Sequence, residues 1–359
     1  MSFVAAARLF GSDVADDIPA WLELDAGRVV ATGLGAPPPG DVVDCGDAFV
    51  APGYLDLQCN GFRNVDFAAC TTDAAAELLS ELRTYGVTGC CPTLVTAPLD
   101  AYAPMLERLS GVCGRPEMLG VHLEGPFLGD ALGAHPVELV RPVDLRWLSG
   151  LLDRFPGLVR IVTLAPEADP DFAATRMLAA RGIVVALGHS TVSYDDACRG
   201  AEAGARLVTH LFNGMGPLHH RAPGLPGAAL DDARLTPSLI ADLLHVHPAL
   251  VRLAANARPD IVAVSDAVGV DGVEVVARDG AAYLRDGTLA GSVLTMERAV
   301  QNLVAVGVSR SAANAAATTN PARVVSLGDR GRLVPGARAD YVVLDPATLS
   351  VRETHVSSE

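Results

Sequence analysis

The chain has 359 residues, 50% of them hydrophobic and 19% charged, which excludes a disordered or collagen-like protein and suits one large barrel-type domain with a smaller companion. Its formal net charge is −15 and its 27 basic residues are all arginine, so nucleic acid and anionic lipid are disfavoured as partners. Without lysine there is no Walker A site, no Schiff-base chemistry and no carboxylated-lysine bridge between two metals.

From the start, Met1–Phe10 carries Arg8 after a few apolar positions and has no long apolar core. No signal peptide is read there, and a cytoplasmic protein is expected. No apolar run reaches bilayer length, so no membrane association is expected. Residues 1–48 read as short strands and turns, among them Arg28-Val29-Val30-Ala31 and Val42-Val43-Asp44. Gly331–Val351 has the same character, and the two stretches together predict a small β-sandwich built from both termini, residues 1–48 and 328–359.

Between them, residues 49–327 alternate buried strand-like runs with helical stretches. The strand candidates are Phe49–Leu57, Gly86–Val95, Met118–Glu124, Leu158–Leu164, Ile183–Gly188, Leu207–Phe212, Leu239–Ala241 and Ile261–Ser265. Helices are expected at Asp73–Tyr85, Leu99–Leu109, Asp171–Arg181 and Tyr194–Ala203. Eight such strands predict an α/β fold, a (β/α)₈ TIM-type barrel. Gln58-Cys59-Asn60-Gly61-Phe62 after the first strand is not the glycine-rich turn that a doubly wound sheet would need. Val273–Leu289, with Asp286-Gly287 as its turn, reads as a hairpin inserted after the last strand. The seven cysteines are odd in number and contain no CxxC, so reduced thiols are expected rather than a disulfide framework or a cysteine-rich zinc site.

A barrel of this type carries its chemistry at the carboxyl ends of its strands. Here the third strand ends His122-Leu123-Glu124-Gly125-Pro126, the fifth Leu187-Gly188-His189-Ser190, the sixth Thr209-His210-Leu211-Phe212-Asn213 and the eighth Ser265-Asp266-Ala267. Glu124, His189 and His210 make a His₂Glu ligand set with an open position for water, and Asp266 is available to take that water's proton. His135, in Gly133-Ala134-His135-Pro136, and His245, after the seventh strand, are expected on the same face. His122 points opposite to Leu123, toward the barrel core, and its role is left open. His219, His220, His247 and His355 read as loop or surface residues.

These motifs resemble the N-acetylglucosamine-6-phosphate deacetylase branch of the amidohydrolase superfamily. The resemblance is carried in order by Ala51-Pro52-Gly53-Tyr54-Leu55-Asp56-Leu57-Gln58-Cys59-Asn60-Gly61, His122-Leu123-Glu124-Gly125-Pro126-Phe127, Gly188-His189-Ser190, Thr209-His210-Leu211-Phe212-Asn213-Gly214-Met215, Ser265-Asp266-Ala267 and Leu289-Ala290-Gly291-Ser292. Where two-metal members carry His-x-His, this chain has the neutral amides Gln58 and Asn60. One divalent ion per subunit is therefore expected, with zinc suiting the ligands and iron, cobalt or manganese as alternatives.

The resemblance implies hydrolysis of the acetamide of N-acetylglucosamine 6-phosphate, with Asp266 as base and His135 at the carbonyl oxygen. It also implies a phosphate held by Asn213, Gly214, His245 and Arg221, the arginine reaching the neighbouring site of a homodimer. A lysine that many relatives carry before the Gly-Ala-His piece is missing here, where the stretch is Asp130-Ala131-Leu132. Two alternatives accompany this reading: a deacetylase for N-acetylgalactosamine 6-phosphate or an unphosphorylated amide, and a non-catalytic barrel scaffold.

Overall fold

The strand and helix alternation closes into a barrel in the computed structural model, which describes residues 2–15, 18–270 and 274–357. The barrel strands are β1 (Tyr54–Cys59), β2 (Val87–Leu94), β3 (Val121–Glu124), β4 (Val159–Leu164), β5 (Val184–Leu187), β6 (Ala205–Val208), β7 (Thr236–Ile240) and β8 (Val262–Val264). They pair in parallel in chain order. Every residue of β1 and β2 is buried, as expected of strands covered by side chains inside and by helices outside.

The circle closes above β8. Asp266 N donates to Gln58 O (2.8 Å), and the amides of Asn60 and Gly61 donate to Ala267 O (2.8 and 3.0 Å). This closure depends on Gly61, because a Cβ there would lie 2.2 Å from Val65 O and 2.8 Å from Gly269 N.

Side-chain caps set several helix starts: Thr71 before α1 (Thr72–Leu82), Asp144 before Leu145–Arg154, Ser193 before Tyr194–Ala203, Thr295 before Met296–Ala305 and Ser309 before Arg310–Ala317. In each, the cap oxygen accepts an amide proton that the first turn cannot satisfy internally. Among the described residues, no helix is long and apolar enough to cross a membrane. All seven cysteines are free.

Both chain ends contribute to the small β unit. One sheet runs Arg28–Leu34, Ala20–Asp25, Ser2–Ala6, Val42–Asp44, and the other Arg8–Leu9, Phe49–Pro52, Tyr341–Leu344, Val351–His355. Val4, Leu9, Leu22, Val29, Val50, Leu333, Tyr341 and Val343 form its core.

Two expectations need correction. Phe49–Leu57 is not one barrel strand: Phe49–Pro52 pairs antiparallel with Tyr341–Leu344, and the barrel begins only at Tyr54, so the boundary at residue 49 cuts a ladder of the small unit. The break falls at Pro52-Gly53, where proline has no N–H for a ladder and a Cβ on residue 53 would lie 2.2 Å from Thr88. The hairpin after β8 has three strands, Val275–Arg278, Ala281–Leu284 and Leu289–Ser292. Asp279-Gly280 joins the first pair and Asp286-Gly287 the second, both glycines at positive φ. Val273, its expected first residue, lies outside the described residues.

Candidate metal centre and active site

At the carboxyl end of the barrel, Glu124 Oε1 lies 3.1 Å from His189 Nε2 and 3.0 Å from His210 Nε2, and the two nitrogens are 3.1 Å apart. All three residues are at least 96% buried. Donor atoms of a tetrahedral site with ~2.1 Å bonds lie about 3.4 Å apart, so this triangle is close to ligand spacing.

The far nitrogens of both rings explain what the near ones offer. His189 Nδ1 meets Ala131 O and His210 Nδ1 meets Asn213 O, each at 3.1 Å. A carbonyl oxygen only accepts, so Nδ1 carries the proton in each ring and Nε2 presents a lone pair. Two lone pairs and a carboxylate then face one another. With only protons to relieve the repulsion, burial pushes the His210 ring down but Glu124 pushes it up further. Burial likewise opposes charge on Glu124, yet the two imidazoles hold its carboxyl well below the usual range. A divalent cation fits this donor set.

The backbone is bent to aim these groups. His189, His210 and Asp266 all have left-handed φ (49°, 31° and 47°), and Gly125 after Glu124 has φ 92°. Such conformations cost non-glycine residues of order 1 kcal/mol each and cluster at functional sites. Gly214 packs under His189: a Cβ there would come within 2.8 Å of Nδ1 and 3.2 Å of Ala131 O.

Asp266 stands beside the triangle. Its Oδ1 accepts from Gln58 Nε2 (3.1 Å) and Asn60 Nδ2 (2.8 Å), while Gln58 Nε2 also donates to Glu124 Oε1 (3.0 Å). Gln58 thus bridges the two carboxylates with protons, and Asn60 adds a second donor to Asp266. Burial, then the Glu124 charge, raises the Asp266 carboxyl to about 7.

His135 Nδ1 lies 2.8 Å from Thr96 Oγ1, and its ring meets that of His189 edge-on at 4.3 Å. Burial, then the neighbouring His189, pushes its pKa down to about 3. A ring nitrogen of His135 also shares a radius of 4.8 Å with ligand atoms of Glu124 and His189.

Glu124, His135, His189, His210, Asn213, Gly214, His245 and Asp266 all line one cavity of about 450 Å³, within the usual range of small-molecule sites. Val275, Leu284 and Leu289 of the three-stranded insertion form part of its wall. His245 is held by Asp242, whose Oδ2 is 2.5 Å from Nδ1 and whose Oδ1 accepts the amides of Leu244 and His245.

Arg221 is the expected site residue that the single chain does not bring in. It is exposed, with Nη1 against His220 Nε2 (2.8 Å), and among the described residues no arginine lines the cavity. His122 belongs to the core, with Nδ1 on Leu57 O (3.0 Å) and Nε2 on Thr163 Oγ1 (2.7 Å), and burial pushes its pKa down to about 4. His219 and His220 are exposed, while His247 caps the helix Pro248–Ala257.

Sequence reasoning assigned no role to Thr96 or Asp242, and it treated Gln58 and Asn60 only as absent ligands. The i,i+2 spacing of Gln58 and Asn60, which puts both on one face of the strand end, was the available signal.

The amidohydrolase family model matches residues 49–358. The chain is 40% identical over 344 residues to the N-acetylglucosamine-6-phosphate deacetylase of Bos taurus, covering 88% of this chain and 84% of that protein. It is 36% identical over 327 residues to the N-acetylgalactosamine-6-phosphate deacetylase of Escherichia coli O157:H7, covering 86% and 87%. A solved structure from Mycobacterium smegmatis, a mutant N-acetyl-D-glucosamine-6-phosphate deacetylase in complex with N-acetyl-D-glucosamine-6-phosphate, matches with a TM-score of 0.92. It is 35% identical, and the match covers 99% of this chain and 98% of that one. With that barrel, that cluster at its strand ends and these relatives, the chain belongs to the amidohydrolase family.

Proposed function

We propose that the protein hydrolyses the acetamide of N-acetylglucosamine 6-phosphate to glucosamine 6-phosphate and acetate. The observation that carries this is the triangle of Glu124 Oε1, His189 Nε2 and His210 Nε2, with both imidazole lone pairs turned inward beside Asp266. These three residues would hold one divalent ion, zinc by ligand type. When bound, the ion supplies positive charge that acidifies water and steadies negative charge on oxygen.

The chain's own residues do the rest. Asp266, its Oδ1 tied to Gln58 and Asn60, takes a proton from the attacking water and returns it to the departing amine nitrogen. His135 donates to the carbonyl oxygen as charge builds there. Asn213, Gly214 and His245 receive the phosphate end, with Asp242 fixing the orientation of the His245 ring.

The cavity carries the acidic groups Asp66, Glu124 and Asp266. A phosphorylated sugar therefore calls for a further cation, and Arg221 of a neighbouring subunit in a homodimer fits that need.

The E. coli relative favours a second reading, the galactosamine epimer. Zinc-loaded protein assayed for acetate release from both N-acetylhexosamine 6-phosphates and from unphosphorylated N-acetylglucosamine tests both readings. Fastest turnover of the glucosamine phosphate is expected. Preference for the galactosamine phosphate or the unphosphorylated sugar overturns the substrate assignment, and no turnover of any of the three, with metal bound, overturns the reaction.

A further inference from the structure

We propose that Thr96 is a positioning residue: its hydroxyl sets the tautomer of His135, so that this ring presents a proton rather than a lone pair to the reacting carbonyl oxygen. The inference rests on the reaction proposed above and concerns how one of its groups is made ready.

Three imidazoles surround Glu124, and distance alone does not divide their roles. A ring nitrogen of His135 is near enough to Glu124 and His189 to share a cation with them, as is Nε2 of His210. The partner on the far nitrogen separates them. For His189 and His210 that partner is a backbone carbonyl, which forces a proton onto Nδ1. For His135 it is a hydroxyl, Thr96 Oγ1 at 2.8 Å, which can donate or accept.

The direction follows from what else that hydroxyl can reach. Among the described residues its other polar neighbour, Glu124 O, lies 3.5 Å away, well outside the 2.5–3.0 Å of an ordinary O–H···O bond. Thr96 is 4% exposed, so bulk water does not compete for its proton. The single hydroxyl proton therefore goes to His135 Nδ1, and a neutral ring must carry its own on Nε2. His135 is thereby a donor, and the third ligand is His210.

The backbone makes room for this contact. Gly125 has φ 92°, and a Cβ there would stand 2.3 Å from Thr96 Oγ1. Any other residue after Glu124 would displace the hydroxyl.

The test uses the zinc-loaded protein and a hydroxyl deletion of nearly equal volume, Thr96→Val. Loss of one aligned transition-state donor is worth roughly 10²–10³ in turnover. Because Thr96 acts through the ring, a fall in kcat of about 10- to 100-fold is expected, with KM moving less than about threefold and zinc content unchanged. Thr96→Ser should recover most of the loss. Thr96→Ala against Thr96→Ser is a second pair that differs only in the hydroxyl, and Ala must fall with Val.

In a His135→Gln background, Thr96→Val should add little, since its effect passes through the ring. Nitrogen-resolved NMR of ¹⁵N-histidine-labelled protein should find the proton on Nε2 of His135 and on Nδ1 of His189 and His210. Wild-type turnover in Thr96→Val, an undiminished Thr96→Val effect without His135, loss of zinc, or a His135 proton on Nδ1 each overturns the proposal. The spectrum requires no turnover, so it decides the tautomer even where wild type releases no acetate, a result that sinks the functional reading itself.

Discussion

Two residues apart on β3, His122 and Glu124 sit in adjacent layers of the same barrel, and they lead opposite lives. In the lower layer His122 donates to Leu57 O and accepts from Thr163, and Thr163 in turn meets Thr209 at 2.7 Å. Every polar atom there has a partner of the opposite kind, and the ring is a satisfied neutral core group. One layer up, Glu124, His189 and His210 turn acceptors toward acceptors. Buried histidine is common to both layers, so what marks the upper layer as chemical is its unbalanced donor and acceptor count.

That contrast can be broken in order of expected effect. Asp266→Asn keeps the hydrogen-bond reach of the side chain but cannot carry a proton between water and amine. A loss of about 10³- to 10⁴-fold in kcat with zinc retained is expected from turnover and metal analysis of the same sample. His210→Asn should weaken zinc binding by at least about 100-fold, read by competition with a chelator, because it deletes a ligand rather than its support.

Gly214→Ala removes no ligand, yet its Cβ would press on His189 Nδ1. A drop in zinc affinity of about 10-fold is expected, the size seen when ligand-orienting groups are disturbed. His122→Phe is the converse control in the lower layer. It strands Leu57 O and Thr163, and should lower unfolding free energy by about 1–3 kcal/mol while the zinc-loaded fraction keeps turnover within about tenfold.

The smallest effect is a pH-dependent one. In metal-free protein the Asp266 pKa is raised from 3.8 to about 7, so the folded state holds its proton longer than the unfolded chain. This group therefore lowers stability as pH climbs through that interval, and its full penalty is present above about 7. Asp266→Asn removes the penalty: the metal-free variant should melt a few degrees higher than metal-free wild type at pH 8, with the gap closing toward pH 4.

How much of this could be read beforehand follows from the same physics. The barrel was legible because strands buried on both faces leave continuous apolar runs, and the site because Glu124, His189, His210 and Asp266 each end such a run. The division of Phe49–Leu57 between two sheets was not, since both halves are apolar and only Pro52-Gly53 hints at the crossing. The left-handed turns at His189, His210 and Asp266 were invisible, because such φ values are uncommon even for histidine and aspartate, the types enriched there, and no local signal says which of them adopts one. Thr96 and Asp242 escaped notice for a related reason. Each matters through the ring it touches, and a threonine 39 positions from His135 announces no partnership.

The small β unit has a consequence for how the molecule is made. Val50 finds its ladder partner in Val343, so an early edge waits on a segment made about 290 residues later. Until then the nascent small unit carries an open, apolar edge at Phe49–Pro52, exposed to pairing with another chain. A release-timed proteolysis experiment on stalled chains should therefore find the amino-terminal strands cleavable until residues 341–344 have emerged, and protected soon after.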